Sequence, residues 1–334
     1  MRILVTGGAG FIGSNFIRHI LSNYPDYHVT NLDKLTYCGN LQNLKDVDGR
    51  TNYAFVRGDI ADSGVVEKAM AEVDCVINFA AETHVDRSIM SATEFITTDV
   101  NGTYTLLEAA KVQKIRRFLQ ISTDEVYGSI SGAAAKEEDR FNPSNPYSAS
   151  KAGAELIARS YFITHDLPVI ILRPSNNFGP YQYPEKFIPL FITNALMDTP
   201  LPLYGDGKNV RDWLYVEDAC AAIDLVLHKG EPGEAYNISG ENKRTNIDVA
   251  RLILKELGKP EELITLVKDR PGHDRRYSID GSKVERLGFD RKTEFGSALK
   301  KTIEWYRKNT AWWQDIKSGE FKNYYKKQYG ERHG

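Results

Sequence analysis

Tyr147 and Lys151, four residues apart in the string SNPYSASK, have the types and spacing for proton chemistry. Asn145 is a good helix N-cap and Pro146 a good first helical residue, so the tyrosine falls in a first turn. A spacing of four puts the lysine on the same helix face. An ammonium beside a phenol favours the phenolate and brings the tyrosine toward the range of a useful base. Tyr204 and Lys208 repeat the spacing, but they enclose Gly-Asp-Gly, a turn, and are set aside. A second pair stands in QISTDEVYG, where Asp124 and Glu125 follow the apolar residues Phe118, Leu119 and Ile121. Adjacent carboxylates oppose each other's ionisation. Two carboxyls whose proton affinities are pushed apart can act as acid and base at one pH.

The string VTGGAGFIGSNF carries Gly7, Gly10 and Gly13 as G-x-x-G-x-x-G, with Phe11 and Ile12 inside it. Placed between a strand and an apolar helix, such glycines allow a tight turn and close approach of backbone N–H groups to a pyrophosphate. The second strand ends in NLDK at Asp33, twenty residues after Gly13. A carboxylate there accepts hydrogen bonds from both ribose hydroxyls and repels a 2′-phosphate. This favours NAD over NADP, with the neighbouring Lys34 acting in the opposite direction. The strings RGDI and FAAE end later strands on the same sheet edge. They place Asp59, Ile60, Ala80 and Ala81 along the adenine and central portion of the cofactor.

These residues need a scaffold of strands ending at one edge. Apolar strands are expected at Arg2–Thr6, His28–Leu32, Tyr53–Val56, Cys75–Phe79, Arg117–Ser122 and Val169–Arg173. Helical stretches lie between several of them, at Phe11–Ser22, Val65–Ala71, Ala92–Val112 and Pro146–His165. Alternation of this kind implies an α/β protein, a Rossmann-type doubly wound parallel sheet, with a smaller C-terminal substrate-binding domain. The expected division is 1–175 for NAD and 176–334 mainly for substrate. Helix and strand patterns at Tyr215–Leu227 and Ala235–Ile238 imply that the chain returns to the first domain around 212–238. Helices at Ile247–Leu257 and Gly296–Lys308 belong to the second, and the aromatic, lysine-rich tail reads as a packed terminal helix.

Composition narrows the function classes. The chain is 41% hydrophobic and 26% charged with a formal net charge of −2, which gives no electrostatic case for a nucleic-acid or anionic-membrane partner. Cys38, Cys75 and Cys220 are an odd, scattered set without a C-x-x-C. They suggest neither a metal site nor a disulfide framework, and a reducing cytoplasm fits them. MRILVTGG runs directly into a strand with no signal region, and no apolar run approaches the roughly 18 residues of a membrane span.

The glycine loop, Asp33 and the Tyr147/Lys151 pair resemble the extended short-chain dehydrogenase/reductase superfamily. Within it, Thr123-Asp124-Glu125 is similar to the dTDP-glucose 4,6-dehydratases, as are ETHVDRS, SNNFGPYQYPEKFIP, YGDGKNVRDWLYVED and DRPGHDRRY. The resemblance spans roughly residues 1–310. It departs where the family usually has Ser at Thr83, Asn at Asp99 and His at Ala219. It implies NAD-dependent loss of water from dTDP-glucose, giving a 4-keto-6-deoxy sugar for deoxysugar biosynthesis of the rhamnose type. Tyr147 would take the O4 proton, assisted by Lys151, with Thr123 on the same oxygen, and Tyr147 and Lys151 would also contact the cofactor. Glu125 would be the base at C5, and Asp124 the acid at the C6 hydroxyl. Thr83, Asn176, Lys186, Pro202, Arg211, Asn246, Arg270, His273 and Tyr277 would hold the nucleotide sugar, and Tyr204 would stack on the base. Family members are usually homodimers paired through two helices per subunit, here near 98–114 and 147–165. A nucleotide-sugar 4-epimerase, a dehydratase for another nucleotide, and a non-catalytic NAD-binding regulator remain open as alternatives. The acidic pair argues against the first of these, and the intact set of five catalytic residues argues against the last.

Overall fold

A computed structural model of the chain describes residues 1–329. Twelve strands are formed among them: β1 (Arg2–Thr6), β2 (His28–Asp33), β3 (Tyr53–Arg57), β4 (Cys75–Asn78), β5 (Arg117–Ile121), β6 (Val169–Pro174), β7 (Asn176–Phe178), β8 (Leu201–Tyr204), β9 (Val210–Tyr215), β10 (Ala235–Ile238), β11 (Lys243–Thr245) and β12 (Ile264–Val267). Seven of them make one sheet in the order β10-β6-β5-β4-β1-β2-β3, with every neighbouring pair parallel. Every residue of β4 and of β6 is buried, as expected for strands covered on both faces. The helices Phe11–Asn23 and Val216–Lys229 pack one face. The helices Ser63–Ala69, Thr103–Gln113 and Pro146–His165 pack the other.

The chain runs outward through β2 and β3, then returns to place β4 on the opposite side of β1. Such a reversal opens a crevice at the carboxyl ends of the two central strands, where ligands of open α/β sheets bind. The carboxyl ends of β1, β2, β4 and β5 and the loops that follow carry the glycine loop, Asp33, Ala80 and the acidic pair to that edge. The fold therefore gathers residues that lie far apart in sequence.

Two local features fix the helices that bear the reactive groups. Asn145 caps Pro146–His165 through a full capping box with Ser148, which sets Tyr147 in the first turn. Further along, Arg173 of β6 makes an ion pair of 2.5 Å with Glu155, both side chains 2% exposed, which ties that helix to the sheet. The continuous α-helix expected at Ala92–Val112 is instead broken by a π-helical turn, Ile96–Gly102, before Thr103–Gln113. π-turns are uncommon and cluster at functional sites. This one carries Asp99, which is 1% exposed.

A second core lies beyond β6. It joins β7, β8 and β9 with the helices Phe187–Leu196, Asn246–Leu257 and Phe295–Lys308. β9 runs antiparallel to β11 and parallel to β7, and β8 pairs with β12. The tail forms two helices, Thr310–Ser318 and Glu320–Tyr329, and buries Trp313, Phe321 and Tyr329 in this core. No helix among the described residues is long and apolar enough to cross a membrane.

Candidate active site

Two cavities meet at the sheet's carboxyl edge. The first, about 270 Å³, is lined by Gly7, Gly10, Phe11, Ile12, Gly13, Asp33, Lys34, Asp59, Ile60, Ala80 and Ala81, and also by Thr123, Asp124, Glu125, Tyr147 and Lys151. The second, about 160 Å³, is lined by Thr83, Asn176, Lys186, Pro202, Tyr204, Arg211, Asn246, Arg270, His273 and Tyr277. Thr83, Glu125, Asn176 and Lys186 belong to both walls. The candidate catalytic, cofactor-binding and substrate-binding residues thus line two cavities that share walls.

The first cavity fits a dinucleotide. Gly7 turns with φ +68, and a Cβ there would lie 2.6 Å from the Ala80 nitrogen. A Cβ at Gly13 would lie 2.5 Å from the Gly7 carbonyl oxygen. Neither position admits a side chain. The helix Phe11–Asn23 starts at Gly10 without a side-chain cap, so its first N–H groups are open to an anion. Asp33 accepts hydrogen bonds from the Ala9 N–H at 2.9 Å and the Leu35 N–H at 2.8 Å, which aim its carboxylate into the cavity wall. Burial pushes that carboxyl up and the two N–H groups pull it back.

Lys34, the residue that weakens the case against NADP, forms an ion pair with Asp59 at 2.7 Å. Its charge is therefore already engaged. We expect the protein to take up NAD(H) and to gain little from NADP⁺. Calorimetric titration with both cofactors checks this, and equal affinities would contradict the role given to Asp33.

At the reacting end, Asp124–Tyr127 is a single 3₁₀ turn capped by Thr123, whose hydroxyl accepts the Glu125 N–H at 3.2 Å. The turn places the two carboxyls in unequal surroundings. Asp124 is 2% exposed, and its Oδ2 has no hydrogen-bond partner. Burial, then the charges of Glu125 and Asp212, push it well above the usual carboxylate range, against Arg211 and Thr123. Glu125 is less buried, and its Oε2 accepts the Tyr277 hydroxyl at 3.0 Å.

The expected influence of Lys151 on Tyr147 is corrected by the structure. Lys151 Nζ donates to the Ile121 carbonyl at 2.7 Å, and burial lowers it while Asp99 and Glu155 raise it. Tyr147 is held well above its ordinary value, first by burial and then by Glu125, with Asp99 and Asp124 adding; Thr123 opposes them. Lys151 is not among the strongest influences on this phenol.

Asp99 accounts for one departure from the family pattern. Its Oδ1 accepts the Glu82 N–H at 2.9 Å and its Oδ2 accepts the Ser150 hydroxyl at 2.6 Å. Burial pushes it up to about 6, and Lys151 is the strongest influence lowering it. An asparagine would offer one acceptor instead of two and no charge for the buried ammonium. Thr83 contributes its carbonyl, which accepts from Lys186 Nζ at 2.5 Å. Ala219 lies in the core under the sheet and lines neither cavity.

The second cavity is built for a polar ligand. Asn176, Trp213, Asn246 and Arg270 line it, and each has a buried side-chain atom (Oδ1, Nε1, Oδ1 and Nε) without a hydrogen-bond partner among the described residues. Arg270 also pairs with Asp86 at 3.1 Å, and Arg211 lies 4.2 Å over the Tyr277 ring. Burial, then Arg270 and Arg211, bring the His273 imidazole down to about 4, so it is neutral near pH 7. Among the described residues no group of three or more His, Cys, Asp or Glu side chains is placed to hold a metal ion.

The family model for GDP-mannose 4,6 dehydratase matches residues 4–302. A dTDP-glucose 4,6-dehydratase of Streptomyces niveus is 51% identical over 323 residues, covering 95% of this chain and 96% of that protein. The chain belongs to the dTDP-glucose 4,6-dehydratase family. Another relative of the same name, from Neisseria meningitidis serogroup B, is 48% identical and covers 96% of this chain and 97% of its own length. A crystal structure of the Streptomyces venezuelae dTDP-glucose 4,6-dehydratase, with NAD and dTDP bound, superimposes with a TM-score of 0.93 at 49% identity. It covers 95% of this chain and 100% of that one.

Some residues of the recess escaped the sequence reading. Tyr329 lines the second cavity, and Gln328 Nε2 donates to the Tyr204 hydroxyl at 2.7 Å. The aromatic tail was legible as a packed helix, and its approach to the recess was not. Glu185, beside the selected Lys186, is paired with Arg87 at 2.9 Å and lines both cavities. The Glu-Lys pair in YPEK was the available signal for it.

Proposed function

We propose that this protein converts dTDP-glucose to dTDP-4-keto-6-deoxyglucose, using residues 1–175 to hold NAD and residues 176–334 mainly to hold the nucleotide sugar. The observation that carries the reading is the unequal acidic pair. A buried Asp124, its carboxyl held well above the usual carboxylate range, stands beside the less buried Glu125 in the wall that also presents Tyr147. An epimerase, which only removes and restores the C4 hydrogen, has no use for such a pair.

Held along Gly7, Gly10 and Gly13 and by Asp33, bound NAD⁺ supplies reversible removal of the C4 hydrogen with its bonding electrons. Tyr147, which must first shed its own proton, takes the O4 proton as the phenolate while C4 becomes a ketone, and Thr123 hydrogen-bonds the same oxygen. The ketone acidifies the C5 proton, which Glu125 removes. The freed C–H pair forms the C5–C6 double bond, the C6–O bond breaks, and Asp124 gives its proton so that water leaves. Glu125 then returns its proton to C5 as C6 is reduced, Asp124 is reprotonated from solvent, and Tyr147 releases the O4 proton to solvent. General acid–base steps of this kind contribute typically 10²–10⁴-fold each.

Arg270 and Arg211 suit the diphosphate, since guanidinium forks match its oxygens. Tyr204 suits a pyrimidine face. The product class supplies 6-deoxysugar biosynthesis, of the rhamnose type in this reading. Incubation with dTDP-, UDP- and CDP-glucose, followed by the alkaline absorbance of the 4-keto product, tests substrate and nucleotide together. Turnover should be fastest with dTDP-glucose, and a 4-epimer without keto product would contradict the assignment.

A homodimer and a cytoplasmic location complete the proposal. Tyr104 and Val112 of one helix and Leu156 and Ile163 of the next are exposed, Val112 by 73% and Ile163 by 67%. A second copy covering this face would remove them from water. Light scattering should give twice the chain mass, and Val112→Glu with Ile163→Glu should halve it. A monomeric wild-type protein would contradict this. The three cysteines are free thiols, two of them buried, in keeping with a reducing compartment.

A further inference from the structure

Tyr277 is placed between two carboxylates. Its hydroxyl lies 3.0 Å from Glu125 Oε2 and 2.9 Å from Asp274 Oδ2. The hydroxyl carries one hydrogen, so it can donate to only one of them at a time. Asp274 is 5% exposed and is anchored by the Ser144 hydroxyl, which donates to the same Oδ2 at 2.5 Å. Its backbone is fixed as well. Asn209 Nδ2 donates to the Asp274 carbonyl at 3.1 Å, and Arg211 does so at 3.0 Å. A buried carboxylate this firmly held, one hydroxyl away from the reacting glutamate, requires a reason.

We propose that Asp274 is a positioning residue for the elimination step, acting on Glu125 through the Tyr277 hydroxyl. This rests on the assignment of Glu125 as the base at C5. While Glu125 is a carboxylate, Tyr277 donates to it, and Asp274 keeps the hydrogen bond from Ser144. When Glu125 takes the sugar proton it needs an acceptor in place of a donor. Tyr277 then turns its hydrogen to Asp274, and its oxygen accepts from the new carboxylic acid. The tyrosine proton stays on its own oxygen throughout, and no buried oxygen loses its partner. The other groups facing Glu125 are Asp124 on its own turn, Tyr147, Lys186 and Arg270. Among the described residues, Tyr277 is the one hydroxyl that joins Glu125 to a second carboxylate.

Asp274→Asn keeps the shape, removes the charge and weakens the acceptor. In single turnovers with dTDP-glucose, reduced cofactor should appear at the wild-type rate. It should then decay roughly tenfold more slowly, the scale of one charge-assisted hydrogen bond. Deuterium uptake from D₂O at C5 should slow by the same factor, and reduced cofactor should accumulate in the steady state. The unchanged first phase reports that the fold is intact. Tyr277→Phe reaches the relay from its other side, and in that background Asp274→Asn should add nothing. An unchanged decay, equal slowing of both phases, or full additivity with Tyr277→Phe would overturn the relay while wild-type turnover still supported the reaction. A wild-type protein that forms no reduced cofactor from dTDP-glucose would remove the reaction assignment and the relay with it.

Discussion

Tyr147→Phe is expected to stop the reaction at its first step, with appearance of reduced cofactor falling roughly 10²–10⁴-fold for the lost base. The ring that meets Phe95 edge-on at 6.3 Å is retained, so packing around the helix start should survive. Only the hydroxyl that receives the O4 proton is lost. Cofactor content of the purified variant should match the wild type, because the glycine loop and Asp33 are untouched. Rapid-mixing absorbance with dTDP-glucose measures the effect. A variant that still oxidises its substrate at a near-wild-type rate would remove Tyr147 from the mechanism.

Glu125→Gln should have an effect of the same size on a different step. Glutamine fills the same space and still offers an oxygen to Tyr277, but it cannot accept the C5 proton. Product formation should fall roughly 10²–10⁴-fold, while C4 oxidation proceeds and reduced cofactor builds up on the enzyme. The contrast between the two variants is the informative result. Loss of cofactor reduction in both would mean that Glu125 acts at C4 and that the roles are misassigned.

The parts of this account legible in the sequence are those written in contiguous residues. The glycine loop sits between an apolar strand and an apolar helix, and Asp33 closes the next strand. The six expected strands of the large sheet occur with ends shifted by a residue at most. Capping by Asn145 and Pro146 fixed the position of Tyr147. Fully buried parallel strands and amphipathic helices leave strong local patterns, which is why this half of the fold could be read.

The second region gave weaker signals. β7 and β11 have three residues each and β8 has four, including Pro202. Strands this short show no alternation to count, and proline argues against a strand. The π-turn was hidden because Ile96–Gly102 reads like the helix on either side of it. Pairings across long separations were hidden as well. Gln328 reaches Tyr204 across 124 positions, and Tyr277 reaches Glu125 across 152. Proton affinities lay furthest from the sequence. The spacing of Tyr147 and Lys151 suggested a lowered tyrosine, whereas burial and the surrounding carboxyls raise it.

The central claim is that one closed cycle moves the C4 hydrogen of the sugar to C6 while the acidic pair removes water. Deuterium placed at C4 of dTDP-glucose tests it most directly. With the wild-type protein in ordinary water, mass spectrometry and NMR of the product should find the label at C6. In D₂O with unlabelled substrate, the solvent label should enter at C5. Deuterium retained at C4, or lost from the product to solvent, would contradict the account.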